Sequence, residues 1–114
     1  MADNLDTITK NISRIGVQAD KLQALSAQAR AAGQEDKAQD LATQAVLLMA
    51  KKATLHMQRR KIVTSSPAWQ QLMKHLDDLD QKAAATKADM EKAKDTVETA
   101  KTVIGALGKV LTVL

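Results

Sequence analysis

From Trp69 to the last residue, one stripe of positions recurs in alternating steps of three and four: Trp69, Leu72, Leu76, Leu79, Ala83, Thr86, Met90, Ala93, Val97, Ala100, Ile104, Leu107, Leu111 and Leu114. Only Thr86 in that series is polar. A spacing that averages 3.5 residues holds one face of a helix against a neighbour and is incompatible with the two-residue period of a strand. The same spacing runs through Leu5, Ile8, Ile12, Ile15, Ala19, Leu22 and Ala29, interrupted by Ser26, and again through Ala38, Leu41, Ala45, Leu48, Leu55 and Ile62. Three apolar stripes cover one another best when packed together. The expected fold is therefore all-α, an antiparallel three-helix coiled-coil bundle in one domain, residues 1–114.

The punctuation sets the boundaries. Asp3, Asn4 or Asp6 can accept from free N–H groups of a first turn, and Gly33 can take the left-handed conformation that ends a helix. Helix 1 is expected over residues 4–32. Glu35 and Asp36 suit the positive end of helix 2, and the cations further along suit its negative end, giving residues 35–63. Ser66 is a good N-cap and Pro67 fits a first turn, so helix 3 starts there and is expected to reach 113. A continuous helix of that length is about 72 Å long at 1.5 Å per residue, against about 45 Å for each partner. Its C-terminal half is expected to project from the bundle. The alternative is a four-helix bundle with a bend near residues 83–86.

Composition agrees with this reading. One Pro and four Gly among 114 residues are too few for the reversals of an all-β fold. Hydrophobic residues make up 45% but aromatics only 1%, so the core is aliphatic and Ala-rich. There is no Cys, which removes disulfides, thiolate metal sites and Cys nucleophiles together. The first residues carry neither the basic nor the apolar region of a signal peptide, and the most apolar stretch, Val103 to Leu114, is shorter than the roughly 20 residues of a bilayer span. A cytoplasmic protein is expected.

The candidate sites are surfaces. The segment Val103, Ile104, Leu107, Val110, Leu111 and Leu114 carries more apolar residues than one stripe uses, and is expected to bind a protein partner, most simply a second copy, with docking on its own bundle or contact with a membrane interface as alternatives. In helix 2 the run Ala45 to Ala50 is apolar without interruption. At about 100° per residue such a run covers every side of the helix, so Leu47 is a further candidate contact. Trp69 either packs at the end of the bundle or anchors a partner. It is followed two residues on by Gln71, not by the glycine of the Trp-x-Gly turn in small secreted helical hairpins, so the chain is not placed in that class.

Lys51, Lys52, Arg59, Arg60 and Lys61 contribute five positive charges, with no acid among them, to a chain of net charge +4. They could meet phosphates of an anionic membrane surface or of nucleic acid, or simply complement a helix C-terminus. No aromatics are interleaved to stack bases, so specific nucleic-acid binding is not expected. His56 and His75 lack a second ligand at helical spacing, and Asp77, Asp78 and Asp80 read as a solvated face rather than a metal site. No cofactor is expected. Ser65 and Ser66 are better explained as caps than as nucleophiles. The expected function is a noncatalytic helical interaction or assembly module, self-associating through the C-terminal part of helix 3. The alternative is a membrane-active or secreted helical protein.

Overall fold

The computed structural model describes residues 4–114. The capping role considered for Asp3 lies outside them. The described chain is all-helical: α1 (Asn4–Ala31), α2 (Glu35–Met57), α3 (Pro67–Ala88) and α4 (Ala93–Thr112), with single 3-10 turns at Arg59–Lys61 and Met90–Lys92. The expected three-helix bundle with a long third helix is thereby corrected to four helices. Its projecting end is corrected as well, because the whole fold measures 49 × 21 × 20 Å and cannot hold a helix of about 72 Å.

The break lies at Asp89, past the 83–86 region given for a bend. Asp89 leaves the helical region (φ −149°, ψ 101°), donates its N–H to the carbonyls of Ala85 and Thr86, and accepts from the N–H of Glu91 on Oδ1 at 3.1 Å. Asp89 thus closes one helix and caps the next turn. Thr86 marks the corner from within. Its hydroxyl lies 2.6 Å from that of Thr96, both residues are fully buried, and between them they reach the carbonyls of Lys92 and Lys82. Folding α4 back removes Val97, Val103, Leu107 and Val110 from water, each a gain of about 1.5–3 kcal/mol that a protruding helix would forgo.

Other boundaries follow the sequence closely. Gly33 (φ 77°) ends α1, donating to Arg30 while Gln34 donates to Ala29, the paired bonds of a Schellman stop. Ser66 Oγ accepts from the N–H of Trp69 with Pro67 in the first turn of α3. Helix α2 stops at Met57, short of the expected 63. The chain then passes through Arg59–Lys61 to Ile62, which is buried at the bundle end.

Two hairpins build the bundle. Helix α1 packs most extensively on α2, where Ala19, Ala29, Ala38 and Ala45 are buried and small enough for close approach. Ser26, which interrupts the α1 stripe, donates to the Ala38 carbonyl at 2.6 Å and so is satisfied inside this interface. Helix α4 packs on α3 and on α2, and α3 on α1. Arg14 meets Asp77, Lys21 meets Asp80 and Gln28 meets the Lys87 carbonyl, so α1 and α3 run parallel. The segment 58–66 therefore crosses the end of the bundle diagonally from α2 to α3.

Candidate functional site

The break at Asp89 decides what the C-terminal segment can do. It turns the inward face of α4 to Thr96, Ala100, Val103, Leu107 and Val110, all buried in the chain's own core. Ile104, Leu111 and Leu114 lie on the flank, partly buried against the same core. Val103, Leu107 and Val110, read from the sequence as partner contacts, hold α4 to its own bundle. Trp69 does the same for α3, being 3% exposed. None of these four is free to anchor a partner on this surface.

The basic cluster is divided. Lys52 lies across α1, its Nζ only 3.2 Å from where a side chain on Gly16 would begin, so its aliphatic stem covers bundle surface. Arg59 turns back and donates to the His56 carbonyl at 2.9 Å, satisfying an end of α2. Lys51 is half-buried; Arg60 and Lys61 point into solvent. Of the acids after His75, Asp78 lies 4.0 Å from His75 itself and the other two face α1 cations. Asp77 pairs with Arg14 at 2.6 Å and Asp80 with Lys21 at 2.5 Å, and Gln18 donates to the same Asp80 oxygen. Those bonds from Lys21 and Gln18 hold the Asp80 carboxyl below the usual carboxylate range. Among the described residues no three His, Asp or Glu gather as they would around a metal ion.

Among the described residues, the exposed large apolar side chains group most densely on the outer face of α2, with Val17, Val63 and Val113 exposed singly elsewhere. The core-facing positions of α2 are Ala38, Leu41, Gln44, Ala45, Leu48 and Leu55. Directly opposite, Thr43, Val46, Leu47, Ala50, Ala53, Thr54 and Met57 form a second stripe with heptad spacing, all exposed: Val46 61%, Leu47 43%, Met57 82%. Met49 flanks it. Leu47 was legible from the uninterrupted run Ala45 to Ala50. Val46, Ala53 and Met57 were missed, although the spacing 43, 46, 50, 53, 57 was present in the sequence.

A second apolar feature is an open groove of about 890 Å³ between the start of α3 and the end of α4. Pro67, Ala68, Gly105 and Ala106 line it, with His75 and Lys109 also contributing. A side chain added at Gly105 would touch nothing, so this glycine keeps the groove open rather than relieving a contact. Among the described residues no helix is long and apolar enough to cross a membrane. Comparison with protein-family models, curated proteins and solved structures yields no match.

Proposed function

We propose that the protein is a noncatalytic helical assembly module that associates with a second copy of itself, and that its interaction surface is the outward stripe of α2. One observation carries this reading: α2 is amphipathic twice, with one heptad stripe in the core and a second, equally regular, facing solvent. A lone bundle helix needs only the first. Large apolar side chains grouped on one exposed helix face are the usual mark of a contact surface. This moves the association surface from the C-terminal segment, whose Val103, Leu107 and Val110 are occupied internally, to Leu47 and its neighbours.

Leu47→Glu combined with Met57→Glu tests the reading, since both residues are exposed and their replacement leaves the core intact. Light scattering on the unaltered chain should give a mass rising with concentration toward twice that of the monomer. The double variant should remain monomeric with unchanged helicity. A monomer at every concentration for the unaltered chain would remove the proposal.

A second reading is contact with anionic headgroups through Arg60 and Lys61, which are exposed beside Met57. Asp36 and Asp40, exposed toward the other end of the same helix, oppose it. Flotation with anionic vesicles at low salt separates the two, and the assembly reading expects the protein to stay with the soluble fraction.

A further inference from the structure

Resting on that reading, we infer that the second copy pairs through α2 in the antiparallel sense, about a two-fold axis passing beside Ala50. The outward stripe is self-complementary when its direction is reversed about that residue. Position 47 then faces 53, Leu against Ala; position 46 faces 54, Val against Thr; position 43 faces 57, Thr against Met; and Ala50 faces itself. The Leu47/Ala53 and Met57/Thr43 layers set a larger side chain against a smaller one, the arrangement that lets facing helices interdigitate, and the Val46/Thr54 layer pairs two side chains of the same shape. In the parallel sense each residue meets its own copy, so Met57 collides with Met57 while Ala53 meets only Ala53; the Ala50 layer is the same in both senses.

The charges follow the same reversal. Asp36 and Asp40 stand at one end of α2, while Arg60 and Lys61 stand just beyond the other. All four are exposed and make no ion pair among the described residues. Antiparallel pairing brings the acids of one copy beside the cations of its partner at both ends. Parallel pairing sets like charges together. The interface is isologous, so it closes at two copies and does not propagate. One helix pair belongs at the small end of specific interfaces, below about 1,200 Å² in total, and the expected dimer is accordingly weak, with dissociation on the order of micromolar.

The absence of native Cys makes the test direct. Helices 8–10 Å apart place facing Cα atoms roughly 4–5 Å apart, within reach of a disulfide. Under mild oxidation Ala50→Cys should form a covalent dimer in high yield. Thr43→Cys and Met57→Cys should each stay uncrosslinked alone and yield a heterodimer when mixed. Self-crosslinking of both Thr43→Cys and Met57→Cys would overturn the antiparallel arrangement in favour of a parallel one. A dimer seen by light scattering, with no crosslink at Ala50, would overturn this inference while leaving self-association standing. A monomer by light scattering that floats with phosphatidylserine vesicles would overturn both, and assign the stripe to a membrane surface.

Discussion

Asp80 shows how the two hairpins are held in register. It receives Lys21 and Gln18 from α1 on a single carboxylate oxygen, one turn along from the Arg14 to Asp77 pair, so two turns of α1 and α3 are keyed to each other. The Asp80 side chain is 52% exposed, and exposed ion pairs contribute about 0–1 kcal/mol, so register rather than stability is its main effect. The pH dependence has a definite sign. Because the folded-state pKa is lowered, the contribution is complete above the unfolded-chain value of about 3.9 and disappears as pH falls through the native one. Urea unfolding should therefore find Asp80→Asn less stable than the unaltered protein by less than about 1 kcal/mol at pH 7, with the gap closing as acid protonates the native carboxyl. A gap that ignores pH would mean that the amide disturbs packing instead.

At the scale of elements, the corner at Asp89 separates what was legible from what was not. Removing its side-chain acceptor with Asp89→Ala should cost about 0.5–2 kcal/mol in thermal or urea unfolding while keeping four helices. A variant that becomes more stable and more elongated would show that one continuous helix competes with the folded-back arrangement. The stripe from Trp69 through Thr86 is buried as its spacing predicts, and so are Ile8, Ile12, Ile15, Ala19 and Leu22. Beyond Asp89 the stripe holds at Ala93, Val97, Ala100 and Leu107, but Val103 and Val110 are buried in place of Ile104 and Leu111. A heptad count runs straight through a break that keeps the spacing, and no Gly or Pro marks this one. The signals present were subtler: an Asp able to cap, acids at Glu91 and Asp95 in the turns after it, and Thr86, the one polar residue in an otherwise apolar stripe. Only the first hairpin, by supplying the α2 surface on which α4 packs, turns those signals into a corner.

For the molecule as a whole, folding α4 back changes which surface is available. A projecting third helix would have presented Val103, Leu107 and Val110. The compact bundle consumes them and leaves α2 as the element with an apolar face beyond what its own core requires. The candidate site was thus legible at Leu47 and illegible elsewhere. The inward stripe of α2 was readable, Ala38, Leu41, Ala45, Leu48 and Leu55 all being buried; the outward one mixes Thr and Ala with Val, Leu and Met, and whether another helix covers it depends on where the other helices sit. The basic cluster divides for the same reason, since Gly16 on α1 gives Lys52 a surface to lie along.

The methionines report this arrangement directly: Met57 and Met49 are exposed on α2, whereas Met73 and Met90 are half-buried against the core. Methyl NMR of methionine-labelled protein over a dilution series is therefore the most direct measurement. The Met57 signal should move strongly with concentration and Met49 less, while Met73 and Met90 stay fixed. A Met57 signal that does not change with concentration would contradict α2 as the assembly surface, as would shifts confined to Met73 and Met90.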